Sequence, residues 1–384
     1  NTAMGYQALD AFTSGYQNVA IGYQAATDLT TAYYGTYIGM RAGQNVTSGN
    51  SNTFIGWESG NNVTDTSNKV AIGYRAGYAD GGQMDVHIGY EAGRNVTAGD
   101  NISIGRSAGQ GYHGVGQTEF QVNTTNRYNV SIGTFAGQRA IGTNNVNVGY
   151  NAGWYATGSQ NTFVGSSAGK GGTTSAPYSS GQNNVAIGYQ ALKNFTTGGS
   201  NVAIGYQAAD SFTTAGEAVA IGRSALGSAT TQGRNVAIGY FSAATLAGAS
   251  AQFNVFVGDY TGQGGSGNLK RSVAVGYQVL QSTAGNDVDG AIGIGYQALN
   301  DVTSGDNNIA IGYQTGDAIT TTTGTISIGA AALGGITTTG DYTIAIGYGA
   351  MGGSEIGDGN IAIGYQSMQN ANAAGFHRNT AIGY

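Results

Sequence analysis

Cysteine is absent from this 384-residue chain, and proline occurs once, at Pro177. The first absence removes disulfides and thiolate metal sites. The second, with glycine that does not recur at every third position, removes a collagen reading. Charged residues make up only 9%, against about 25% in an ordinary soluble domain. The net charge of −6 is spread thinly and forms no basic block, which argues against nucleic acid or an anionic membrane as partner. No stretch approaches the roughly 18 apolar residues needed to cross a bilayer. Histidine is confined to His87, His113 and His377, and no aspartate recurs in the turns. Catalytic, metal-binding and calcium-loaded readings therefore have little to stand on, and neither an enzyme nor a cofactor is expected.

What the chain has in abundance is glycine, 69 residues of it, together with 40% hydrophobic residues. Both follow one pattern. The core N-V-A-I-G-Y recurs in variants 22 times, its glycine falling at Gly5, Gly22, Gly39 and onward to Gly383, and 19 of the 21 intervals are 16–19 residues long. A short fixed period of this kind marks a stacked solenoid, in which each unit buries its apolar surface only against its neighbours. The expectation is an all-β parallel β-solenoid of about 22 coils over residues 1–384. Because the chain begins inside one motif and stops inside another, it reads as an excerpt of a longer fibre.

Aligned on the glycine, the copies separate into columns. The residue before it is Ile, Val or Met, and the residue three before it is Val, Ile or Thr. Such alternation is a strand signal of period two. The pairs Val19/Ile21, Val70/Ile72, Val202/Ile204, Ile309/Ile311 and Ile361/Ile363 are expected to line the interior as a core ladder. The residue between them is mostly Ala but also Tyr37, Phe54, His87, Asn147 and Gly293. That tolerance reads as an outer face, meeting solvent or another chain. Tyr follows the glycine in 14 copies, giving a tyrosine ladder that includes Tyr23, Tyr74, Tyr206, Tyr313 and Tyr365. Asn lies four residues before it in 14 copies, so Asn18, Asn161, Asn201 and Asn308 are expected to form an amide ladder. A coil this small, with one Val and one Ile inside, is short of core, which points to several chains sharing one. A homotrimer joined through the Ala-rich face is the expectation.

The segments N-T-A-I-G-Y (Asn379 to Tyr384) and N-V-A-I-G-Y-Q-A (Asn184 to Ala191) resemble the head repeats of YadA-type trimeric autotransporter adhesins. Asn1 to Leu9 resembles the related N-T-A-x-G-Y-x-A-L repeats of phage and viral tail fibres. The resemblance covers essentially the whole chain. It implies a left-handed β-roll, assembled as a homotrimer, with a fibrous and adhesive role outside the cell. The repeats here are slightly longer than those of the bacterial head, and no coiled-coil heptads appear, so the virion reading is preferred: the shaft of a tail fibre that takes part in host attachment. A bacterial surface adhesin or extracellular filament is the alternative, and a glycan-binding module, using the tyrosines, is a second one.

Two intervals break the period, 28 residues from Gly105 to Gly133 and 23 from Gly165 to Gly188. Strands in register cannot absorb the excess, so insertions at about 106–128 and 166–183 are expected to leave as outer loops. Tyr112, His113, Phe120, Arg127, Tyr128 and Tyr178 make them the expected contact loops for a host-surface glycan or protein receptor.

Overall fold

The structure, a computed structural model, describes residues 1–96, 98–111, 126–172, 178–264, 267–282, 287–317, 319–335, 340–353, 357–371 and 376–384. The fold is a parallel β-solenoid, all-β, with no helix among the described residues. The chain divides into two compact units, Asn1–Thr197 and Gly198–Tyr384. Both are built from the same coil.

In the first unit the strands Thr2–Met4, Val19–Ile21, Thr36–Ile38 and Thr53–Ile55 pair parallel and in register. Ala20 thus lies beside Tyr37, and Tyr37 beside Phe54. The same alignment joins Val202–Ile204, Val219–Ile221 and Val236–Ile238 in the second unit. There, two repeats of 18 and 19 residues carry an added parallel pair, Leu269–Lys270 with Val288–Asp289. Leu269 and Val288 are buried, so the extra length is folded into the coil.

Most strands end just before the motif glycine, although Val273–Tyr277, Ile292–Tyr296 and Ile309–Tyr313 run through it. Its φ lies near +130° in copy after copy, as at Gly73, Gly188 and Gly364, a region closed to residues with a Cβ. A Cβ on Gly22 would also stand 2.5 Å from the carbonyl oxygen of Gly39 in the next coil. Glycine sits on glycine along the stack.

The interior is the reverse of the sequence expectation. Val19, Ile21, Val70, Ile72, Val202, Ile204, Ile309 and Ile361 are only half-buried, and Ile311 and Ile363 are exposed, whereas the residue between each pair is fully buried. The varied middle position, from Ala20 and Ala203 to Tyr37 and Phe54, points inward. The Ala-rich column is therefore core and not a contact face. Its variation is matched a few residues on, at the fourth residue after the motif glycine. Coils with an aromatic middle residue have glycine there: a Cβ on Gly43 would meet the Tyr37 ring at 2.4 Å, and on Gly60, Gly169 and Gly262 the rings of Phe54, Phe163 and Phe256 at 2.3–2.4 Å. Several coils with a middle Ala fill the gap instead, Ala186 with Leu192 and Ala220 with Leu226, all buried, although the Ala71 and Ala310 coils keep glycine there, at Gly77 and Gly316. Where the middle residue is aromatic, its volume is offset within the same coil, as a close-packed interior requires.

Where asparagine is present, it closes the corner before the strand. Asn161 Oδ1 accepts from the Asn184 backbone N–H at 2.9 Å, and its Nδ2 donates to the Gly181 carbonyl at 3.1 Å. Asn18 bonds Gly35 and Ala32 in the same manner, Asn201 bonds Ala218 and Ala215, and Asn308 bonds Thr325 and Thr322. The ladder is thus chiefly side chain to backbone, with amide-to-amide bonds added in places such as Asn254 to Asn235. Asn161→Ala orphans one buried N–H and one buried carbonyl, and is expected to cost about 2–4 kcal/mol. Equilibrium denaturation checks this, and a loss below about 1 kcal/mol would mean that water replaces the amide.

Candidate functional site

The outer face of the strands is one candidate. In each unit the two flanking residues of successive strands form a flat strip of half-exposed Val, Ile and Thr, among them Ile187, Ile238, Ile294 and Ile311, each more than a third exposed. The strip is apolar and, within each unit, parallel and in register. No charged side chain occupies a flanking position.

Beside it runs the tyrosine column. Tyr277, Tyr296 and Tyr313 stack at 5.4 and 5.1 Å, nearly parallel, as do Tyr348, Tyr365 and Tyr384 at 5.3 and 5.2 Å. Tyr23 stacks on Tyr6 and Tyr74 on Tyr90. The Tyr206 ring lies 5.4 Å from the Arg223 guanidinium, which occupies the next position of the column. Stacking at the coil spacing covers ring faces and leaves edges and hydroxyls outward.

Of the contact-loop residues, Tyr112, His113 and Phe120 lie outside the described residues. Arg127 and Tyr128 are exposed in the turn before a strand, with Arg127 over the Tyr128 ring at 5.5 Å and 3.6 Å from the Asp100 carboxylate. Tyr178 is half-buried and stacks on Tyr155, which in turn stacks on Trp154 and Trp154 on Phe135. Lys170 and Arg139 sit over this group at 5.3 and 5.5 Å. Sequence reading found the Tyr178 end of this aromatic group but not the rest, because Phe135 and Trp154 come from different coils.

The least expected feature lies inside the first unit. Lys69, Asp80, Asp85 and His87 are all buried within two neighbouring coils. Lys69 Nζ lies 2.5 Å from Asp80 Oδ2, 3.7 Å from Asp85 Oδ2 and 2.7 Å from the Asp80 carbonyl. His87 Nε2 is 2.9 Å from that same Asp80 Oδ2, while Asp80 Oδ1 accepts from the Gly82 N–H at 3.0 Å. Asp85 Oδ1 accepts from the Asn101 N–H at 2.8 Å, but Asp85 Oδ2 and His87 Nδ1 have no hydrogen-bond partner. An imidazole with its proton on Nε2 fits this pattern, since an unpaired lone pair costs less than an unpaired N–H. Burial pushes the Asp80 carboxyl up, but the Lys69 charge and the His87 bond outweigh it and hold it below the usual carboxylate range. Burial first, then the Asp80 charge, push Asp85 up to about 6.

Each of the four replaces a bland residue of its column. Lys69 and Asp85 stand at consecutive asparagine positions. Asp80 takes the place held by Leu29, Val46, Val63 and Val96 in other coils, all of them buried. His87 is a middle residue, and a Cβ on Gly93 would strike its ring at 2.1 Å. Reading the histidines one at a time missed the group. The available signal was three columns broken within two repeats. The carboxylates and imidazole of Asp80, Asp85 and His87 lie within 4.8 Å of one another, as a metal site would require, but the Lys69 ammonium already occupies the space between the carboxylates.

No protein-family model and no curated protein matches this chain. No helix among the described residues is long and apolar enough to cross a membrane.

Proposed function

We propose that this chain is a segment of a non-enzymatic structural and adhesive fibre, in which three copies cover one another's Val/Ile strips. The observation that carries the reading is the strip itself. A partner must match an apolar pair at every coil, at the rise of one strand spacing, roughly 4.8 Å, and another copy of the chain has that repeat built in. Exposed contiguous apolar surface of this kind marks an association face. The repeat resemblance supports three-fold closure, left-handed winding and an extracellular location, with the shaft of a phage or viral tail fibre preferred over a bacterial surface adhesin. Mutual stacking of the tyrosines disfavours the glycan-binding alternative, since sugars pack against open ring faces.

Light scattering should return three times the 38.8 kDa chain mass. Paired Ile204→Glu and Ile238→Glu substitutions on the strip should release monomers without changing the β-rich circular dichroism, because those side chains lie outside the coil interior. A wild-type chain that remains monomeric at micromolar concentration would sink the proposal. So would a doubly substituted chain that still forms trimers.

A further inference from the structure

We propose that Lys69 and Asp80 become joined by an amide bond between Nζ and Cγ, formed by the chain itself, with Asp85 moving a proton and His87 hydrogen-bonding the departing oxygen. The inference is independent of the fibre reading and rests on how the four buried groups are placed. The amine and the carboxyl group are already in contact, with Nζ 2.5 Å from Asp80 Oδ2. Reactants held so closely have their encounter cost removed before reaction. The two oxygens of Asp80 are differentiated. Oδ1 is held by the Gly82 backbone N–H, a donor placed to stabilise charge that develops on it. Oδ2 is contacted by His87 Nε2 at 2.9 Å, a donor placed to hydrogen-bond a departing oxygen. Asp85 Oδ2 lies 3.7 Å from Nζ with no hydrogen bond to hold it, poised to take a proton from the amine. Its raised pKa, about 6, makes it a better base than an ordinary aspartate.

The chemistry balances without any further reagent. One ammonium proton passes to Asp80 Oδ2 across their contact, and a second is taken by Asp85 as the freed lone pair forms the Nζ–Cγ bond. The Cγ–Oδ2 bond then breaks. Asp85 hands its proton on, so that Oδ2 leaves with both protons as one water and Asp85 returns to its starting state, while His87 keeps its own proton. One ammonium and one carboxylate become a neutral amide, so the reaction removes the desolvation cost of a buried ion pair. Exclusion of bulk water from the coil interior opposes the reverse hydrolysis. The bond would tie the strand end of one coil to its own turn.

The test is the intact mass of the full-length folded chain, read under denaturing conditions, followed by protease mapping. The expected result is a mass short by one water and a branched peptide joining residues 69 and 80. A folded chain at its full, unmodified mass would overturn the proposal. Because Gly81 follows Asp80, a cyclic imide at that step would remove the same water. It would persist in Lys69→Asn and give no branched peptide, and that outcome also overturns the proposal. Asp85→Asn restores the residue most common in its column, so the variant should keep the β-rich circular dichroism. Its cross-linking should be slower by on the order of 100-fold or more. Linkage at the wild-type rate in folded Asp85→Asn would remove the role given to Asp85.

Discussion

Gly205→Val is expected to be among the most damaging single substitutions in the second unit. Gly205 has a φ of +134°, and a Cβ there would lie 2.6 Å from the Gly222 carbonyl oxygen and 2.7 Å from its carbon. Two costs add. The backbone region is nearly closed to L-residues, worth about 1–3 kcal/mol, and the clash with the next coil is worth about as much again, for roughly 2–6 kcal/mol in total. The obstacle is backbone, so no rotamer change relieves it. In a repeat stack each coil is supported only by its neighbours, and separation of the coils on either side is the anticipated failure. Gly335 supplies the control, with φ +72° and no atom within 4 Å of the point a Cβ would take. Gly335→Asn should stay within about 0.5 kcal/mol of wild type. Urea denaturation of both variants decides the matter, and equal stabilities would refute the stacking role given to the glycine column.

The second large effect is a rescue. Phe54→Ala alone empties a fully buried ring position and should cost about 3–5 kcal/mol. Introducing leucine at the facing site alone, Gly60→Leu, drives a side chain into that ring, since even a Cβ would lie 2.4 Å from it. Combined, the two changes recreate the Ala186/Leu192 arrangement found elsewhere in the chain. Leu192 has a φ of +51° and Gly60 of +56°, so the backbone already suits the substitution. The double variant should be markedly more stable than the sum of the singles predicts, with a coupling energy of about 1–3 kcal/mol. Additive losses would show that the aromatic and the glycine are not partners.

The period, the parallel class, the motif register and the position of the strands were legible in the sequence. They follow from glycine spacing and from alternation, which are local properties. Which face is inner was not, because a period of two separates two faces without labelling them. The β-branched pair looked like core by composition, while the swing from Ala20 to Tyr37 looked like surface tolerance. The missing sign was four residues past the motif glycine, where Gly43 answers Tyr37 and Leu192 answers Ala186. The asparagine column was visible, but its hydrogen bonds run to backbone groups of the next coil, which side-chain identities do not reveal. The buried charges were least legible of all. Lys69 and Asp85 stand at asparagine positions of successive repeats, and only the coil geometry brings them to Asp80 and His87.

The matching of volumes has a genetic side. Phe54 and Gly60 belong to the same coil, as do Tyr37 and Gly43, Phe163 and Gly169, and Phe256 and Gly262. A whole coil can therefore be duplicated, lost or moved along the gene and bring its own fit with it. Unequal crossing-over between near-identical repeats would change the number of coils in single steps while keeping each interior filled, provided the exchange falls in the segments between motifs. An exchange falling between the strand and the turn of one coil could pair a ring with a leucine, the combination that overfills the interior. Copies descended from such events would be filtered out, leaving joints in the turns as the record of how the array grew.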